Sequence, residues 1–191
     1  MVELPLPPPE RGEADIDLRA WQPGDAAMLA EAWADGSVAA GLGAPPVTDE
    51  AAAAERIERW QALDADGKSL RLAVVAADGS LLGGVSLTEI RPDEATCEVA
   101  YWLARSARGA GHATAAVRRL TEHAFDLGFE RVEVLTRTDN DPSRQVAVRA
   151  GFVPEGRLRS VLPGPDGTRV DMDILSRLPT DPDVPATAAG R

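Results

Sequence analysis

One cysteine, two histidines and a single lysine are all that 191 residues provide of three side chains that often do chemistry. Cys97 alone excludes an internal disulfide and a multi-cysteine metal site. With His112 and His123 the only histidines, a His-rich zinc centre is excluded as well, and no metal is expected. No apolar run approaches the ~20 residues that cross a membrane. The start, Met1-Val2-Glu3-Leu4-Pro5, lacks the basic and apolar regions of a secretory signal, so a cytoplasmic protein without a membrane partner is expected. Nor is there a G-K-[ST] triplet, which removes the Walker A phosphate loop. Positive charge is also scarce: 20 Lys and Arg against 31 Asp and Glu leave a net charge of −11. That balance argues against nucleic acid, whose phosphates need clustered basic residues. It suits a cationic partner such as an amine or a basic peptide, or serves solubility alone. The Ala-, Gly-, Arg-, Asp- and Pro-rich composition fits a GC-rich bacterial genome.

What remains reads as one domain over residues 14–178, between Pro-rich ends expected as flexible tails over residues 1–13 and 179–191. Ile16–Trp21 reads as a first strand, and Pro23-Gly24-Asp25 opens a helix reaching about Ala34. Thr48-Asp49-Glu50-Ala51 resembles a capping box, with Ala51 in place of Glu or Gln, ahead of a second helix to about Leu63. The apolar runs Leu70–Ala76 and Leu81–Leu87 flank Ala77-Asp78-Gly79-Ser80, a hairpin turn. Thr96–Leu103 is a further strand. Ala113, Ala116, Val117, Leu120, Ala124 and Leu127 then share one helical face, closed by Gly128. Arg131–Thr136 reads as a strand, Pro142–Ala150 as a short helix and Gly151-Phe152-Val153 as the start of another strand. Pro163-Gly164-Pro165-Asp166-Gly167 turns into a last strand that alternates Val170, Met172 and Ile174 with Arg169, Asp171 and Asp173. The sum is a mixed α/β sheet with antiparallel hairpins rather than a repeating βαβ fold.

The stretch with most chemical content is Arg108-Gly109-Ala110-Gly111-His112-Ala113, between a strand and an amphipathic helix. Backbone N–H groups at a helix start, added to the positive end of the helix dipole, make a socket for phosphate or diphosphate. Gly109 and Gly111 let the backbone approach an anion, and Arg108 adds charge at the rim. The alternative for the same residues is a tight turn without a ligand. Thr114 stands where a dinucleotide fingerprint would need glycine.

Taken in order, these motifs resemble the GCN5-related N-acetyltransferase (GNAT) superfamily, in its RimJ/RimL-like subgroup, over roughly residues 15–178. Arg108, Gly111 and Ala113 meet the family's [Q/R]-x-x-G-x-[G/A] signature. Glu98–Leu103 resembles its fourth strand, Asn140-Asp141-Pro142-Ser143 the subgroup's N-x-x-S element, and Gly151–Arg157 its G-F-x-x-E-G run. Arg19-Ala20-Trp21 with Asp25 resembles its opening strand and helix.

The resemblance implies the GNAT acyl-CoA N-acyltransferase fold, a central, mostly antiparallel twisted sheet flanked by helices. It implies acetyl transfer from acetyl-CoA, a cosubstrate, to a primary amine on a small molecule or a protein N-terminus, and a homodimer. A catalytically weak acyl-CoA sensor or interaction module on the same fold is the alternative. Gly109, Ala110, Gly111, His112, Ala113 and Thr114 would carry the diphosphate on their N–H groups, with Arg108 beside them. Tyr101, Trp102 and Leu103 would pair with the pantetheine arm as an added strand does. Asn140 matches the asparagine that bonds that arm, or is a turn former. Ser143 is a candidate acid or orienting donor near the sulfur, or else a helix cap. Many relatives carry a tyrosine acid where this chain has Ala147. Glu98 is the first candidate for the base, with Glu133 and Glu155 as alternatives. Cys97 is a buried strand residue or an acetyl-accepting nucleophile. Trp21, Trp33 and Trp60 are core or subunit contacts, while Trp33 and Trp60 could form an aromatic wall of the acceptor pocket.

Overall fold

A computed structural model describes residues 2–9, 16–34, 36–164 and 167–182; Met1, residues 10–15, Asp35, Pro165, Asp166 and residues 183–191 lie outside it. Seven strands form one twisted sheet in the order β1-β2-β3-β4-β5-β7-β6: β1 Ile16–Ala20, β2 Leu70–Ala76, β3 Leu81–Arg91, β4 Thr96–Leu103, β5 Arg131–Arg137, β6 Val153–Pro163 and β7 Arg169–Arg177. Every pairing is antiparallel except β4 with β5.

The helices are α1 Ala26–Trp33, α2 Ser37–Leu42, α3 Glu50–Ala65, α4 His112–Asp126 and α5 Asp141–Arg149. Asp49 rather than Thr48 caps α3, its carboxylate accepting from Ala52 N at 2.8 Å. The expected apolar stripe of α4 is buried through Ala116, Val117, Leu120 and Ala124. Its end closes on Gly128, φ +93°, with Phe129 N–H reaching Ala124 O and Gly128 N–H reaching Phe125 O. Those paired bonds satisfy carbonyls the helix leaves open and need a left-handed residue. Helix α2 has no counterpart in the sequence reading. Six residues with glycine at both flanks, and another inside, give no periodic stripe to detect.

Alternating side chains divide the interior in two. One cluster joins Leu72, Val74, Val85, Leu87, Cys97 and Val99 to α4 and α5. The other joins Ala73, Val75 and Trp21 to α1, α2 and α3. Arg19 grips the nearly buried Asp25 with two hydrogen bonds, of 2.7 and 2.8 Å, and so ties β1 to the start of α1. Residues 2–9, expected as part of a flexible tail, pack instead. Val2 and Leu6 are buried in the first cluster, and His123 Nε2–H donates to Pro7 O at 2.7 Å. Two apolar residues among the prolines are enough to hold the strap against α4.

Candidate functional site

The one parallel pairing is also the shortest. β4 and β5 are in register only at Thr96–Arg131, Cys97–Val132 and Glu98–Glu133, after which they part. From Val99 to Leu103 the β5-facing edge of β4 is therefore open, while its other edge stays paired with β3. The irregularity that accompanies this split lies on β3: Thr88 pairs with Glu98 and Arg91 with Thr96, leaving an extra residue at Glu89–Ile90. Glu89 takes φ +46° there, a left-handed backbone at the bulge. A cleft of about 1070 Å³ fills the split and runs beneath α1 to α3, with Glu98, Tyr101, Trp102, Leu103, Arg108, Gly109, Gly111, Ala113, Thr114, Asn140 and Ser143 in its wall. Ala110 and His112 lie in the same loop but not in that wall.

At one mouth stands the glycine loop. Gly109 and Gly111 both take φ +86°, and a Cβ on either would meet nothing within 4 Å, so the space above them is open. Gly111 is the N-cap of α4, and no side chain caps that helix. Among the described residues the N–H groups of Gly109 to Thr114 reach no acceptor elsewhere in the chain. An uncapped 15-residue helix with an open, glycine-lined approach suits a diphosphate. Arg108 is turned back into the loop, donating from Nε to Leu103 O at 3.1 Å and from Nη2 to Ser37 Oγ at 3.5 Å. Its charge thus sits between β4 and α2. His112 Nδ1 lies 3.3 Å from Ala107 O, a contact that pins the loop.

Across the slot, Asn140 is the N-cap of α5, its Oδ1 accepting from Ser143 N at 3.2 Å. The capping role weighed for Ser143 therefore belongs to Asn140, and among the described residues the Asn140 amide NH₂ has no acceptor. The Ser143 hydroxyl donates to the Tyr101 oxygen at 3.1 Å, and the Tyr101 hydroxyl donates to Ser143 O at 2.7 Å. Burial pushes the Tyr101 phenol up to about 12, so it stays protonated. Ala147 is fully buried, which leaves no path from its Cβ to the cleft without repacking the core. A phenol nevertheless reaches this site, from β4.

The three candidate bases separate cleanly. Glu133 accepts from Arg131 Nε at 2.7 Å and from Arg91 at 3.2 Å. Glu155 takes both terminal nitrogens of Arg131, at 2.9 and 2.5 Å, and the Ser176 hydroxyl at 2.7 Å; Arg131, and then Ser176, hold it down at about 2. Glu98 has no hydrogen-bond partner among the described residues. Burial first, then the neighbouring Glu89 and Glu133, raise its carboxyl to about 7 against the pull of Arg91. Of the three it alone combines access to the cleft with a proton affinity suited to exchange near neutral pH. Cys97 is fully buried, and its thiol is pushed to about 12 by that burial, which removes it as a nucleophile.

Beyond Glu98 the cleft is walled by Trp21, Trp33, Trp60 and Trp102, with Arg56 and Arg71. Trp21 and Trp102 stack at 6.1 Å, Trp33 meets Trp102 edge-on at 5.8 Å, and Trp60 touches Trp21 and Trp33. The wall expected of Trp33 and Trp60 thus includes Trp21 and Trp102. Gly84 makes it possible: a Cβ there would lie 2.7 Å from Trp102 Nε1. Sequence reading missed Arg56, Arg71 and Glu89. Arg71 did carry a signal, a lone charge inside the apolar run Leu70–Ala76. Glu89 and Arg56 carried none. Among the described residues, no group of three or more His, Cys, Asp and Glu could hold a metal ion, and no helix is long and apolar enough to cross a membrane.

Residues 15–153 match the family model described as an acetyltransferase (GNAT) domain. The chain is 36% identical over 107 residues to YdaF of Bacillus subtilis (strain 168), an alignment covering 56% of this chain and 58% of that protein's length. A crystal structure of a "Probable acetyltransferase" superposes with a TM-score of 0.78 at 30% identity, covering 87% of this chain and 94% of the other. RimL, a ribosomal L7/L12 α-N-protein acetyltransferase solved with coenzyme A, shares the fold at a TM-score of 0.79 and 22% identity, over 87% and 95% of the two chains.

Proposed function

Because the chain belongs to the acetyltransferase (GNAT) domain family, we propose that it is a RimJ/RimL-like enzyme moving an acetyl group from acetyl-CoA to a primary amine. Acceptor and acetyl donor meet in one cleft, so the amine attacks directly. The observation that carries this reading is the parting of β4 from β5 just beyond Glu98, with an uncapped helix start at one mouth and an unpaired carboxyl inside. Acetyl-CoA supplies a thioester carbon open to a neutral amine and a thiolate to depart.

The residues divide that work by position. N–H groups from Gly109 to Thr114 hold the diphosphate. The open edge of β4 at Tyr101, Trp102 and Leu103 offers backbone donors and acceptors to an amide-rich arm, as a sheet edge does to an added strand. The free NH₂ of Asn140 faces the same arm. Glu98 takes the proton that the ammonium must lose before its nitrogen can attack. In this reading the Ser143 hydroxyl turns from the Tyr101 oxygen to donate a hydrogen bond to the departing thiolate, and the proton that Glu98 takes from the ammonium balances the one the free thiol gains. The acceptor is a small amine or a protein N-terminus, and RimL acting on ribosomal L7/L12 illustrates the second.

Release of free thiol from acetyl-CoA, measured against a panel of small amines and N-terminal peptides, tests the proposal. Amine-dependent release is expected. Saturable binding of coenzyme A without release for any amine would overturn it and make the protein a sensor.

A further inference from the structure

The acceptor side of the cleft carries charges that the net charge of the chain does not foretell. On β4, Glu98, Ala100 and Trp102 point to one face of the sheet. Across the ladder Thr88 stands opposite Glu98, Ser86 opposite Ala100 and Gly84 opposite Trp102. One strand further, Arg71 pairs with Ser86, and Ala73 with Gly84. Ala73 belongs to the cluster under α1 and α3, so this whole face looks toward those helices. The floor is therefore small residues (Gly84, Ser86, Ala100) between Glu98 on one flank and Arg71 on the other. With neighbouring strands ~4.8 Å apart, Arg71 and Ala100 are separated by ~10 Å across the sheet.

Over this floor, Arg56 extends from α3. Its Cζ lies 4.7 Å from the centre of the Trp33 ring, and Nη2 donates to Pro45 O at 2.9 Å. Among the described residues it has no carboxylate partner. Burial, and then repulsion from Arg59, lower its proton affinity. Arg71 differs, since Asp64 stands 3.7 Å away and Ser69 accepts from it. A half-buried guanidinium lacking an anion is an unfavourable arrangement in the protein alone. An anion brought by a ligand relieves it directly.

We propose that this basin selects small primary amines that also carry a carboxylate or a phosphate. Arg56 receives the anion, the tryptophans hold the body of the molecule and Glu98 faces the amine. The inference rests on the acetyl-transfer reading for which end reacts, and not for the binding itself.

All four tryptophans of the chain line the basin, so their fluorescence reports its occupancy without turnover. With coenzyme A present, wild type and Arg56→Gln are titrated with phenylalanine against phenethylamine, 2-aminoethyl phosphate against ethanolamine, and spermidine. In at least one pair the anionic member should saturate the signal at about tenfold lower concentration than its partner, the scale of a charge-assisted hydrogen bond. Which pair shows it tells carboxylate from phosphate. The preference should shrink to within about threefold in Arg56→Gln and return in part in Arg56→Lys, which restores the charge without the planar fork. Tighter binding of spermidine or of the anion-free amines overturns the proposal. So does an unchanged preference in Arg56→Gln, or no saturation by either anionic probe at about 10 mM. Thiol release followed in parallel samples, with acetyl-CoA in place of coenzyme A, keeps the two ideas apart. Anion-selective binding without release defeats acetyl transfer alone, and release favouring spermidine defeats this inference alone.

Discussion

Replacing Glu98 by Gln should slow the enzyme and stabilise the fold, and the two effects should share one pH window. Burial, reinforced by Glu89 and Glu133, lifts the carboxyl from its usual 4.5 to about 7. Below pH 4.5 it is protonated in both folded and unfolded chains, so glutamate and glutamine are then nearly equivalent. Between pH 4.5 and 7 the unfolded chain loses the proton first, and folding becomes progressively less favourable. Above pH 7 the full penalty applies, about 3 kcal/mol by linkage, and about 2 kcal/mol once partial exposure is allowed for. Glu98→Gln should therefore melt about 4–8 °C higher than wild type at pH 8 and within a degree or two of it at pH 4.5, as read by calorimetry. In the same protein kcat/KM should fall about 10²- to 10⁴-fold, and the rising limb near pH 7 should vanish from its profile. Equal melting temperatures at pH 8 would refute the claim that this carboxyl is desolvated. A rate within threefold of wild type, with the limb intact, would refute its service as base.

Three further perturbations address the other parts of the cleft. Asn140→Ala should cost about 1 kcal/mol of stability because it removes the cap of α5, whereas Ser143→Ala should leave stability nearly unchanged and lower kcat more than coenzyme A affinity; denaturant unfolding beside steady-state kinetics separates them. Gly111→Trp should weaken coenzyme A binding about 100-fold by calorimetric titration, since its side chain would occupy the open approach to the loop, while the left-handed φ adds about 1 kcal/mol of strain. Gly83→Ala should destabilise by about 3 kcal/mol or more, because its Cβ would lie 2.2 Å from Trp102 O and 2.9 Å from Leu103 Cα, backbone atoms that cannot step aside. Wild-type melting behaviour in that variant would refute such close strand packing.

Legibility of this chain followed the range of the forces involved. The limits of β4 and the buried stripe of α4 came straight from local pattern, because alternation and 3.6-residue spacing repeat over many positions. The glycine loop ahead of α4 was legible for the same reason, its glycines and the helix behind it being contiguous. Helix α2 lacks any such repetition. The parting of β4 and β5 was invisible, since it depends on where a parallel pair stops and on an extra residue in β3, two strands of which neither says where the pairing ends. Ala147 shows the cost of reading a site by position in the chain. Sequence shows Ala147 where many relatives carry a tyrosine, yet the side chain at 147 points into the core, and Tyr101 brings a phenol to Ser143 from 42 residues away.

Charge shows the same division between sum and place. A total of −11 favours a cationic partner only at long range, where contributions from the whole surface add and salt screens them within ~10 Å. Inside the basin the deciding charges are few and poorly hydrated. Among the described residues Glu98 has no hydrogen-bond partner and Arg56 no carboxylate partner, and the sheet floor beside Glu98 is kept small by Gly84, Ser86 and Ala100. Either charge alone would point to half of a molecule. Together, in the wall of one tryptophan-lined basin, they describe a ligand positive at one end and negative at the other. Such a ligand has little net charge for an acidic surface to repel. The acidic exterior and the cationic inner wall are thus compatible, because one acts on the approach and the other on the fit.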